Sequence, residues 1–138
     1  QITKLASEGA YDGVVFHRVI DGFMAQTGDV KFGKTDGADF NMSNAGMGGS
    51  DYPDLKAEFS DENFDTGVVG MARSQNPDSA NSQFFIMFAP APHLNGGYTV
   101  VGRVTEGMDI VNAIKKGRGA NGAVIGEPDK MVSVTVTD

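Results

Sequence analysis

The sequence predicts an all-β fold carrying two helices, and three observations lead there. Short apolar runs at 67–72, 84–88 and 100–104 each lie between turn-forming stretches, as strands of an antiparallel fold do. Near the end, Val132, Val134 and Val136 alternate with Ser133, Thr135 and Thr137, the period of a strand with one buried face. The 138 residues include 19 glycines. That is about twice the ordinary usage of ~7 %, so tight turns are abundant.

Ile2, Leu5 and Ala6 recur at helical spacing and Gly9 suits a helix C-terminus, so residues 1–8 read as the tail of a helix. Next, Val15, His17 and Val19 alternate with Phe16, Arg18 and Ile20, and Asp21-Gly22 supplies the positive φ of a tight turn. On the returning strand Met24 and Gln26 share a face. This hairpin is the centre of the chain. An Arg, a Gln, a Phe and a Met gathered so closely suggest an apolar groove with polar handles, although an amphipathic hairpin with one snorkelling Arg has the same pattern.

Residues 28–55, rich in Gly, Asp, Asn and Ser, read as a long surface loop. Strands follow at 67–72, 84–88 and 100–104, the last two buried, with a polar loop at 73–83. Phe84 and Phe88 belong to the core, and Phe85, on the other pleat face, to the groove. Ile110, Val111 and Ile114 predict a helix over 107–115 ended by Gly117, and 132–136 forms the closing strand.

The length suits one domain, 1–138, with a single core. A net charge of -7 argues against nucleic-acid binding, which needs a basic patch. No apolar run approaches a bilayer span, so no membrane partner is expected. The absence of cysteine removes thiolate nucleophiles, disulfides and zinc-thiolate sites; it fits the cytoplasm and is equally compatible with the periplasm.

Several partial motifs fail on context. Gly46-Met47-Gly48-Gly49-Ser50 is not followed by the G-K-[ST] of a phosphate loop. Asp61-Glu62-Asn63-Phe64-Asp65 starts like a calcium loop but lacks its later glycine and glutamate, and reads as a solvated acidic turn. Gly117 to Gly122 spells G-x-G-x-x-G after a helix, whereas the dinucleotide fingerprint follows a strand. With no G-x-S-x-G or H-E-x-x-H, hydrolase and metalloenzyme readings fall away, and no metal or cofactor is expected. His17 reads as a packed, hydrogen-bonded residue.

Phe16-His17-Arg18-Val19-Ile20-Asp21-Gly22-Phe23-Met24-Ala25-Gln26-Thr27-Gly28-Asp29, then Met71-Ala72 and Ser82-Gln83-Phe84-Phe85-Ile86, together resemble the cyclophilin family of peptidyl-prolyl isomerases. The likeness continues through His93-Leu94-Asn95-Gly96 and from Val101 to Asp109. It implies an antiparallel β-barrel, eight-stranded in the family with about six strands visible here, and a prolyl isomerase that assists folding. The family's first two strands and the start of its first helix have no counterpart here. The chain is therefore expected to be the later part of a longer polypeptide, monomeric when complete, whose closing strand lacks its neighbour.

The resemblance also implies roles. Arg18 would be the catalytic donor, and Gln26 would contact the substrate backbone. Phe23, Met24, Phe85 and Leu94 match the proline pocket, and Gln83 lies near the guanidinium and would orient it. Ala72 and Arg73 match the segment whose backbone pairs with the substrate, although the family often has Asn in the second place. Tyr98 stands where many members have His. His93 stands where cyclosporin-sensitive members carry Trp, so weak cyclosporin binding is expected. Gly46 to Ser50 would wall one side of the groove. Partners would be proline-containing peptides and unfolded or folding proteins. A non-catalytic proline-peptide binder and an assembly domain with a vestigial groove are the rival readings.

Overall fold

The computed structural model describes residues 1–137. The first helix, α1 (Ile2–Ser7), buries Leu5 and Ala6 and ends at Gly9, whose φ of +75° turns the chain away. Tyr11, fully buried, joins this cluster; its hydroxyl donates to the Ser82 carbonyl at 2.8 Å and its ring meets Phe84 edge-on at 5.5 Å. Phe84 is thus only half-buried, against Tyr11 rather than in the centre.

Strand β1 (Val14–Val15) pairs with the late β7 (Lys130–Met131) as a separate antiparallel ribbon. The remaining strands, β2 (Arg18–Ile20), β3 (Met24–Thr27), β4 (Val68–Met71), β5 (Phe84–Met87) and β6 (Val100–Arg103), form one antiparallel sheet in the order β2-β3-β5-β4-β6. The turn between β2 and β3 is the expected one: Gly22 has φ +76°, and Phe23 N–H donates to the Ile20 carbonyl at 3.0 Å.

Register explains the site. Arg18 lies opposite Gln26, Gln26 opposite Phe85, Phe85 opposite Gly70, and Gly70 opposite Val100, so a single row crosses the sheet. Side chains in such a row share one face. Gly70 lacks a side chain for a physical reason: a Cβ there would come within 2.6 Å of Phe64 and 2.7 Å of Phe85. The same face carries the cluster of Met24, Phe64, Phe85, Met87 and Leu94. Val19 and Ala25 point the other way, against Phe16 and Val124.

The mostly-β, antiparallel, two-helix character is as expected, with four corrections. The strands form an open sheet and a ribbon, not a closed barrel. Residues 16 and 17 interrupt the first strand, so the alternation fails there and Phe16 packs with Val19 instead of sharing a side with Arg18. β6 is an edge strand with Val101, Gly102 and Arg103 exposed, not a buried one. The closing strand is Lys130–Met131 and shares no residue with the expected 132–136, because β1 is only two residues long and offers no further ladder. Val132 and Val136 are exposed, and Val134 is held through its N–H by the Asp12 carboxylate at 2.8 Å.

The second helix, α2 (Met108–Asn112), is shorter than expected and buries no residue; Ile114, beyond its end, packs against the second cluster. The glycine turn at 117–122 then seals the outer edge of β2. Gly117 N–H donates to the Val19 carbonyl and Val19 N–H to the Gly122 carbonyl, both at 2.8 Å. The stretch that mimics a dinucleotide fingerprint is an edge cover.

Candidate active site

The row Arg18–Gln26–Phe85 floors a groove of about 330 Å³. Ten of the eleven residues expected at the site line it: Arg18, Phe23, Met24, Gln26, Ala72, Arg73, Phe85, His93, Leu94 and Tyr98. Gln83 lines an adjoining polar pocket of about 380 Å³, shared with Gly46 to Ser50, and Gln26, Ala72 and Arg73 form the common wall. The glycine-rich segment therefore borders the second pocket. Ala72 N–H donates to the Gln83 carbonyl at 3.0 Å, which ties the two linings together.

The apolar part is aromatic. Phe85 stacks on Phe64 at 5.7 Å, and Tyr98 meets both edge-on, at 5.8 Å from Phe85 and 6.4 Å from Phe64. Phe23 lies tilted against His93 at 5.7 Å, which places the exposed imidazole beside it on the rim. Met24 and Leu94 are buried beneath.

The polar part is a directed chain. Arg18 Nη1 donates to Gln26 Oε1 at 3.1 Å, Gln26 Nε2 to Gln83 Oε1 at 2.9 Å, and Gln83 Nε2 to the Gly46 and Gly48 carbonyls at 2.9 and 2.8 Å. A guanidinium only donates, so it fixes the orientation of both amides in turn. Gln83 does not touch Arg18 in this chain; its effect passes through Gln26, a correction to the direct orienting role. Arg18 is held from behind as well, Nε donating to the Asn121 carbonyl at 2.8 Å.

The chain ends on Asp29, which is fully buried. Its Oδ1 accepts from Lys31 and Phe32 N–H at 3.0 and 2.9 Å, and its Oδ2 from Gly46 and Gly48 N–H at 2.8 and 2.9 Å. One carboxylate and one amide thus grip the same glycine segment from opposite sides. Side chains would obstruct that grip, since a Cβ on Gly48 would fall 2.5 Å from Asp29 Oδ1.

His17 is buried with neither ring nitrogen hydrogen-bonded, contrary to the expected bonded histidine. Burial pulls its pKa down from 6.5 to about 4; Asp29 opposes the shift and Arg18 adds to it. The ring is therefore neutral at pH 7 and packs beneath Gly46, where a Cβ would lie 3.0 Å from it. Phe88 is half-buried with Lys116 Nζ 4.8 Å over its ring.

Three contributors carry weak sequence signals. Asn121 acts through a backbone carbonyl, which no residue type announces. Asp29 sits in a glycine-rich region where solvation is the ordinary reading of an acid. Phe64 is the one large apolar residue in an acidic turn, a pattern whose ordinary reading is a solvated loop, yet it is buried in the cluster under the groove.

Residues 1–136 match the family model described as cyclophilin type peptidyl-prolyl cis-trans isomerase/CLD. A Brucella abortus (strain 2308) protein named "Probable peptidyl-prolyl cis-trans isomerase" is 63% identical over 136 residues, covering 99% of this chain and 69% of that protein. Peptidyl-prolyl cis-trans isomerase B of Bacillus subtilis (strain 168) is 38% identical over 115 residues, 83% of this chain and 71% of that one. Among solved structures, a Cryptosporidium parvum cyclophilin type isomerase crystallised in the presence of the dipeptide Ala-Pro superposes with a TM-score of 0.77 at 24% identity, covering 99% of this chain and 82% of that one. Fold, groove and relatives agree, and the chain belongs to the cyclophilin-type peptidyl-prolyl cis-trans isomerases.

Proposed function

We propose that Arg18 is the catalytic donor of this isomerase and that its groove seats the proline ring of folding polypeptides. Amide resonance keeps the X–Pro C–N bond planar, and uncatalysed rotation takes about 10–100 s at 25 °C. At the twisted transition state the resonance is lost and the proline nitrogen regains its lone pair. A donor accelerates rotation only if it bonds that nitrogen more strongly than it bonds the planar amide.

Arg18 suits the task because it stays charged and presents several N–H groups in a rigid fork. A hydrogen bond from a charged group contributes about 1.5–3 kcal/mol, roughly 10- to 150-fold in rate. The rest falls to the groove. A twisted amide is less charge-separated than a planar one, so the apolar floor of Phe85, Met24 and Leu94 favours it. Gln26, oriented by Arg18 and Gln83, holds a flanking carbonyl through its amide while the other side turns.

The observation that carries this reading is the cross-strand row that sets Arg18, Gln26 and Phe85 in line on one face. Exchange NMR on an X–Pro peptide titrated with the protein tests it. The expected result is accelerated cis–trans exchange, with shifts centred on Phe23, Phe85 and Leu94. Saturable binding without faster exchange would reduce the groove to a binding module.

A further inference from the structure

We propose that Arg73 makes this isomerase prefer proline segments carrying a carboxylate within two residues of the proline. The inference rests on the proline seat described above. It starts from a reversal of charge: the chain carries a formal -7, yet the charged residues lining the proline groove are Arg18 and Arg73, with no carboxylate among them. Neither guanidinium has an ion-pair partner among the described residues. Asp54 lines the adjoining pocket but not the groove, and it already accepts from Asn81 Nδ2 at 3.0 Å.

Arg73 is placed and held for the role. It belongs to the wall common to both pockets, so a peptide passing from the groove into the second pocket must cross it. Its Nε and Nη2 donate to the Gly97 carbonyl at 3.1 and 2.7 Å, its Nη1 to the Ser74 carbonyl at 2.9 Å, and its guanidinium carbon lies 4.4 Å over the Tyr98 ring. Carbonyls and a ring face orient the cation without neutralising it. A fixed, half-exposed, uncompensated guanidinium attracts a carboxylate and repels an ammonium. Arg18 is committed to Gln26, Asn121 and the reacting nitrogen, which leaves Arg73 as the selecting charge.

Two sets of peptides test this, differing only in Glu, Gln or Lys at the second residue before the proline, or at the second residue after it, with exchange NMR as readout. In at least one set kcat/KM should fall in the order Glu, Gln, Lys, with Glu about fivefold above Lys and the difference lying in KM. Arg73→Gln should flatten that order, and Arg73→Lys should keep part of it. In the parent protein the preference should shrink to within about twofold between ~0.02 M and ~0.5 M salt, a check that does not depend on the variants folding. Equal turnover of all peptides by the parent, an order that survives Arg73→Gln, or a preference indifferent to salt would overturn the role of Arg73. Failure to isomerise any of them would instead overturn the reading of the groove.

Discussion

Arg18 and Gln26 stand directly opposite one another on β2 and β3, and the guanidinium donates to the amide oxygen at 3.1 Å. The pair is set by strand register, with Gln83 bonded behind Gln26 at 2.9 Å. Gln83→Ala would leave Gln26 Nε2 without its acceptor, the amide then held by Arg18 alone, and two glycine carbonyls without their donor. We expect kcat/KM to fall about 3- to 10-fold, in proportion to one or two lost hydrogen bonds. Steady-state isomerisation on a neutral peptide checks this, and parental kinetics would remove Gln83 from the chain.

Asp29→Asn should destabilise the fold. An amide nitrogen would face two of the four N–H groups that now meet carboxylate oxygens, and donors facing donors in a buried site cost about 1–3 kcal/mol or more. Thermal melts should show a Tm lower by roughly 4–10 °C. The Gly46 and Gly48 amides should exchange hydrogen faster than those of β3. An unchanged Tm would mean the glycine segment is held by Gln83 alone.

His17 makes stability depend on pH. Its pKa is lowered from 6.5 to about 4 by burial, so as pH falls the unfolded chain binds a proton before the folded one does. The contribution is complete above pH ~6.5, declines towards pH ~4 and then levels, amounting to on the order of 3 kcal/mol. Denaturant midpoints across that window should fall less steeply for His17→Phe than for the parent. Equal slopes would show that the histidine is protonated alike in both states.

Cyclosporin should bind weakly, because His93, on the rim beside Phe23, offers a smaller ring than an indole. His93→Trp should tighten inhibition about tenfold or more by adding a large flat contact with an N–H donor, while kcat/KM changes far less. Inhibitor titrations of both proteins decide the point, and equal inhibition constants would clear His93.

The hairpin was legible because its information is local: Asp21-Gly22 fixes the turn, the turn fixes the register, and the register places Arg18 against Gln26. Phe85 followed from strand alternation and the family likeness. What no local pattern announces depends on groups far apart in the chain. Asn121 meets Arg18 through a carbonyl 103 positions away, and Asp29 grips Gly46 and Gly48 across a loop with no period. The closing strand lies at Lys130–Met131 and not at 132–136, because alternation reports a preference for pairing, while pairing itself needs a partner that two-residue β1 does not supply beyond Met131.

The claim at the centre is that the Arg18 guanidinium stabilises the twisted X–Pro bond. Exchange NMR at saturating peptide with Arg18→Ala, alongside Arg18→Lys, tests it most directly. We expect kcat to fall at least about tenfold in the alanine variant with little recovery in the lysine variant, since a point charge does not reproduce the fork. The Tm should stay close to the parental value, because the guanidinium is half-exposed and its partners can bond water. An alanine variant that exchanges the bound peptide at the parental rate would contradict the account.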